Sequence, residues 1–110
     1  MIALEEAKEW IRIDADYDGE DSIINNLIEE SIFEIKNATG VPPDYDSKLK
    51  NEENIREVTA LYNRAQRLLI ADMYNEKETE NKALIGTYIK LESAYSRLIR
   101  KESEEVISNG

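Results

Sequence analysis

A chain of 110 residues is short against the usual range of about 100–200 residues per domain, so it is read as a single domain, 1–110, with one modest core. Its 24 acidic and 14 basic residues leave a formal charge of −10, a surface that repels phosphate backbones and argues against a basic nucleic-acid-coating module. With no Cys and no His, disulfides, thiolate or imidazole metal sites, cysteine nucleophiles and Ser-His-Asp triads are excluded; no catalytic residue, no cofactor and no enzymatic activity are expected.

Apolar residues make up 41% of the sequence and recur periodically, which separates the chain from the charge-rich, apolar-poor composition of disorder. The first predicted helix covers 4–11, with Leu4, Ala7 and Ile11 on one face, Trp10 beside them, and no capping side chain at its start. The acidic loop 14–21 follows, and Asp18 or Asp21 is expected to cap a second helix over 21–38. Ile24, Leu27, Ile28, Ser31, Ile35 and Ala38 form the apolar stripe of that helix, and Thr39-Gly40 ahead of Pro42-Pro43 stops it. Residues 41–53 read as a polar loop turning at Asp44-Tyr45-Asp46-Ser47.

Asn51 or Asn54 caps a third helix reaching about residue 76. Its core face is Ile55, Val58, Tyr62, Ala65, Leu69 and Met73, widened by Leu61 and Leu68. After the polar stretch 75–81, Leu84, Tyr88, Leu91, Tyr95 and Leu98 mark a fourth helix, with an interruption expected near Gly86. From residue 102 onward the sequence turns polar, and 102–110 is read as a flexible tail. The expected fold is all-α, a small bundle of about four helices. Apolar runs reach only about four residues, far short of a membrane span. The acidic start also lacks the basic-then-apolar layout of a secretion signal, so cytoplasmic production is expected.

Asp14, Asp16 and Asp18, followed by Gly19, match the first half of a calcium loop, in which alternating oxygens converge on one cation. The second half fails: Asn25 stands where a bidentate Glu belongs, and Asp21 where an apolar residue pairs with a sister loop. A solvated capping loop therefore outweighs a metal site. The paired glutamates, Glu5/Glu6 and Glu29/Glu30 among them, point about 100° apart on a helix and do not converge on a substrate. Phe33 lies opposite the second helix's apolar stripe, and Ile89 lies off the fourth helix's stripe, so both are candidate contacts with a neighbouring subunit. Arg56, Arg64 and Arg67 line one side of the third helix, and Arg97 and Arg100 cluster on the fourth; against a net negative chain they are candidate partners for acidic surfaces. Asp72, within the widened apolar face, is expected either to be exposed or to pair with a cation.

The order of these segments is itself informative. Leu4-Glu5-Glu6-Ala7-Lys8-Glu9-Trp10-Ile11-Arg12-Ile13-Asp14, the acidic loop, Asp21-Ser22-Ile23-Ile24-Asn25-Asn26-Leu27-Ile28 and Ala38-Thr39-Gly40 resemble the head–tail connector proteins of tailed bacteriophages and prophages. Ala71-Asp72-Met73-Tyr74-Asn75-Glu76-Lys77-Glu78 is similar to a further stretch of that family. The likeness covers residues 2–80 well and the remainder loosely. It departs from the family at Ala3, where a capping Ser or Thr is frequent, at Lys77, where Arg is usual, and in lacking a Pro-containing segment before the last helix.

The resemblance implies a helical subunit that assembles with copies of itself into a ring under the portal protein, extends the DNA channel and docks a tail-side adaptor or stopper protein. It implies assembly in the host cytoplasm and residence at the head–tail junction of the virion, with DNA only passing through and no membrane contact. An acidic channel lining would lower friction on the moving phosphates. The residues alone leave a second reading open, a calcium-responsive or acidic helical protein-binding module in the cytoplasm.

Overall fold

The computed structural model describes the backbone of residues 1–109 and the side chains of residues 1–105. Five helices follow one another: α1 (Leu4–Trp10), α2 (Asp21–Thr39), α3 (Tyr45–Lys48), α4 (Glu52–Tyr74) and α5 (Lys82–Asn109). The all-α expectation holds, with one short helix more than the sequence suggested. Tyr74 at the end of α4 donates to Glu20 at the start of α2 (2.7 Å), so α2 and α4 run antiparallel. Asn81, just before α5, donates to Asp72 near the end of α4 (2.8 Å), while Glu102 reaches back to the start of α4. Hence α5 is also antiparallel to α4, and α2 and α5 run in the same direction.

The core has two apolar clusters. Ile35, Val58, Tyr62, Leu69, Leu91 and Leu98 centre the larger one, among α2, α4 and α5. Ile2, Ala7, Ile24, Ile28 and Ile70 form the smaller one, which seats α1 on α2 and α4. Met73 packs against both. The stripes on α2, α4 and α5 supply most of this, each fully buried Leu or Ile contributing about 1.5–3 kcal/mol. Ala38, assigned to the α2 stripe, is exposed, because in the last turn Thr39, four residues after Ile35, takes the inward position.

Residues 41–53 are not the polar loop expected. Val41, Tyr45 and Leu49 are buried in the larger cluster, and α3 is the single turn that brings Tyr45 and Leu49 inward together. The Tyr45 ring meets Tyr62 at 5.1 Å between centroids, and its hydroxyl donates to Thr59 (2.8 Å). Burial pushes the phenols of Tyr62 and Tyr88 up to about 12, since neither environment accommodates a phenolate. The Gly86 interruption is absent; α5 is continuous through it.

The helix ends account for themselves. Asn51 caps α4, its side chain accepting from Glu53 N (2.9 Å) and Asn54 N (3.2 Å). Gly40 ends α2 at φ +77°, the left-handed position that glycine occupies without penalty. Glu76 adopts the same region at φ +52° after α4, where Lys77 N returns to Asp72 O (2.9 Å). Neither Asp18 nor Asp21 caps α2: its N-cap is Glu20 and makes no side-chain capping bond. Asp21 instead pairs with Lys8.

The tail expected from residue 102 begins as helix. Glu102 accepts from Lys50 N (2.7 Å), Asn51 N (3.2 Å) and the Asn54 side chain (2.9 Å). The side chains of the remaining expected tail, 106–110, lie outside the described residues, as does all of Gly110. Desolvation alone would raise the Glu102 carboxyl, but the hydrogen bonds from Asn54, Lys50 and Asn51 outweigh it and hold the group below its ordinary 4.5.

Two measurements follow from these ends. A carboxyl depressed in the folded state adds stability above its unfolded value and loses it as pH falls through the folded value. Glu102→Gln is therefore expected to be less stable than the parent at pH 7, with the two chemical-denaturation curves converging below about pH 4.5, the ordinary value of this carboxyl. Glu76→Gly is expected to raise the urea midpoint, since relieving a left-handed non-glycine residue outweighs glycine's entropy cost by about 0.5–1 kcal/mol.

Candidate functional site

Lys8, the one buried charged side chain among the described residues, organises the acidic loop. Its side chain is 4% exposed. The ammonium donates to Ala15 O (3.2 Å) and Tyr17 O (2.6 Å) and pairs with Asp21 at 2.8 Å. One cation thus gathers two loop carbonyls and a carboxylate from the next helix, fixing α1, the loop and α2 relative to one another. Asp14, Asp16 and Asp18 remain exposed on the outside of this turn, Asp14 accepting from Asp16 N (3.2 Å). Among the described residues no group of three or more acidic side chains is arranged to hold a metal ion, so the structure does not close the half-matched calcium pattern into a site. The loop curls around an ammonium of its own chain.

Beside it, α1 and α4 enclose an open groove of about 650 Å³, lined by Glu6, Glu9, Trp10, Arg12, Arg67 and Ala71. Trp10 does not join the α1 core face; it is 47% exposed, and the Arg67 guanidinium sits 5.7 Å over its ring. Arg12 enters the groove from the turn after α1 at φ +64°, with Arg12 N bonded to Glu9 O (3.1 Å) and Ile13 N to Lys8 O (2.8 Å). This is a left-handed helix ending on a residue other than glycine, at a cost of about 1–2 kcal/mol.

The residues singled out from the sequence do not form one site. Phe33 is 67% exposed on α2 and Ile89 is 64% exposed on α5, where Ile85 accompanies it one turn earlier. Arg56 and Arg100 are exposed. Arg64 donates to the buried Thr87 of α5 (3.2 Å), and Arg97 pairs with Glu57 of α4 at 2.6 Å, so both tie α4 to α5 within the chain. Asp72 meets the Asn81 amide rather than a cation. Sequence reasoning missed Lys8, Arg12 and Gln66. Gln66 is fully buried, accepting from Ile2 N (3.0 Å) and donating to Ser31 Oγ (2.9 Å); its position one residue after Ala65 on the α4 core face was the available signal.

The chain matches the family model of the phage gp6-like head-tail connector protein over residues 1–101. It belongs to that family. The match runs from the residues before α1 into the last third of α5, so it includes the Lys8 knot, the groove and the helical framework. No curated protein and no solved structure matches the chain. Connectors are structural proteins of the phage particle, and the family places this chain with the head–tail connection. Among the described residues no helix is long and apolar enough to cross a membrane.

Removing the knot's cation strands Asp21 and two carbonyls. Lys8→Met is expected to cost about 2–4 kcal/mol in chemical denaturation. It should also speed amide exchange in residues 14–21 more than in α4 or α5.

Proposed function

We propose that the chain is a structural subunit of the head–tail junction that assembles into a ring under the portal, extends the DNA channel and docks the next tail-side protein. The observation that carries this reading is the family match over residues 1–101. The exposed Phe33, Ile85 and Ile89 support it: large apolar side chains on two different helices suit a subunit with neighbours on more than one side. The net charge of −10 suits a channel that DNA crosses without being gripped, because carboxylates facing the lumen release no counterions from the phosphates. Assembly in the host cytoplasm and a place in the finished virion complete the proposal.

The experiment is co-expression with the portal protein of the same phage, followed by sedimentation and electron microscopy. Rings capping the portal are the expected result; failure of the two proteins to associate refutes the reading. Phe33→Asp and Ile89→Asp are expected to leave the thermal midpoint of the free subunit within a few degrees, since surface changes are usually worth about 0.5 kcal/mol or less. Each should reduce ring yield at least tenfold. Assembled rings should not retain double-stranded DNA at low salt, and retention would refute the acidic-lining account.

A further inference from the structure

The groove between α1 and α4 carries an aromatic ring accompanied by two cations on a chain whose net charge is strongly negative. Trp10 is half-exposed, Arg67 stands over it, and Arg12 lines the same groove. Trp and Arg are the residues most enriched where protein contacts concentrate their energy. Arg12 is the more telling of the two cations. Its backbone is left-handed, as only that of Glu76 is among the other non-glycine residues described, and here the strained residue also lines the groove, which points to a role for its side chain.

A complementary surface lies on the same molecule. At the tip of the acidic loop, Tyr17 is 55% exposed, with Asp16 and Asp18 exposed on either side of it. The tip is already ordered. Lys8 holds the Tyr17 carbonyl at 2.6 Å, and the Tyr17 ring lies so close over Gly19 that a Cβ there would collide with it. A pre-shaped loop has little ordering entropy left to lose on docking.

We propose that the groove is a homotypic docking site that takes the Asp16-Tyr17-Asp18 tip of a second copy. Tyr17 would stack on Trp10 in an offset arrangement, and the two aspartates would meet Arg12 and Arg67 as charge-assisted pairs. Glu6, Glu9 and Trp10 share one face of α1 by their spacing. The two glutamates flank the ring, so an acidic segment is accepted only on the side where Arg12 and Arg67 offset them. Loop and groove both adjoin the end of α4. Glu20, just after the tip, is bonded to Tyr74, which shares its α4 face with Arg67 and Ala71 by i+7 and i+3 spacing. In the proposed pairing two copies would make both contacts at once about a two-fold axis. This pairing does not depend on the proposed ring, and each can fail without the other.

Trp10 is the only tryptophan in the chain, so its emission reports groove occupancy directly. The full chain is followed by sedimentation and fluorescence from micromolar to millimolar concentration. The expected result is a mass rising from 12.7 kDa to twice that value, with a blue shift of Trp10 emission over the same range. Arg67→Glu and Asp18→Arg, each checked for unchanged helicity, should weaken pairing at least tenfold, and the double variant should recover most of it. A chain that stays at 12.7 kDa throughout overturns the proposal. So does a dimer that forms without a change in Trp10 emission, or one that both single variants leave intact.

Discussion

One helix has to satisfy two apolar clusters at once, and the arrangement of the other helices follows from that constraint. Through Val58, Tyr62, Ala65 and Leu69, α4 faces α5 and the end of α2. Through Ile70 it faces the seat of α1. Its fully buried amide, Gln66, lies at the boundary and joins Ser31 of α2 to the backbone of Ile2. A buried amide left without partners costs about 1–3 kcal/mol, so the network rewards only the packing in which α2 and the amino-terminal segment are both in place. The antiparallel directions of α2 and α5 against α4 then require no further specification.

The seven-residue α1 is too short to be stable alone, since isolated helices shorter than about 12–15 residues are marginal in water. It persists because Ala7 is buried against α2 and α4 and because Lys8 binds the loop that follows. The same ammonium makes the acidic loop a fixed shape. Carboxylates that would otherwise spread apart by mutual repulsion are held on the rim of a turn whose centre is positive. Fold and surface chemistry meet here: the contact that secures α1 also sets which acidic groups face outward.

The long helices were legible because a period of about 3.6 residues has room to repeat in them. Ile24, Ile28 and Ile35, then Val58, Tyr62 and Leu69, then Leu84, Leu91 and Leu98, are all buried as their spacing requires. The Gly40 stop and the Asn51 cap were readable for the same local reason. Tyr45 and Leu49 were not, because one turn of helix is too short to show a period and its flanking aspartates and lysines resemble a loop. Lys8 and Gln66 were hidden by their polarity, since their burial depends on partners far from them in sequence. The groove was legible only in part. Arg67 stood out by its spacing, whereas the exposure of Trp10 and the left-handed turn at Arg12 follow from how α1 crosses α4.

The Cα framework measures 54 × 29 × 17 Å, and the smallest of these dimensions is about one and a half helix diameters. A plate this thin has little true interior, so much of each helix faces outward and the intrinsic margin of folding is small. Whatever covers one of its broad faces therefore serves as an additional layer, and by mass action it raises the unfolding temperature with the logarithm of its concentration once that exceeds the dissociation constant. In such a shape a partner that binds the folded form supplies a margin that the isolated chain lacks.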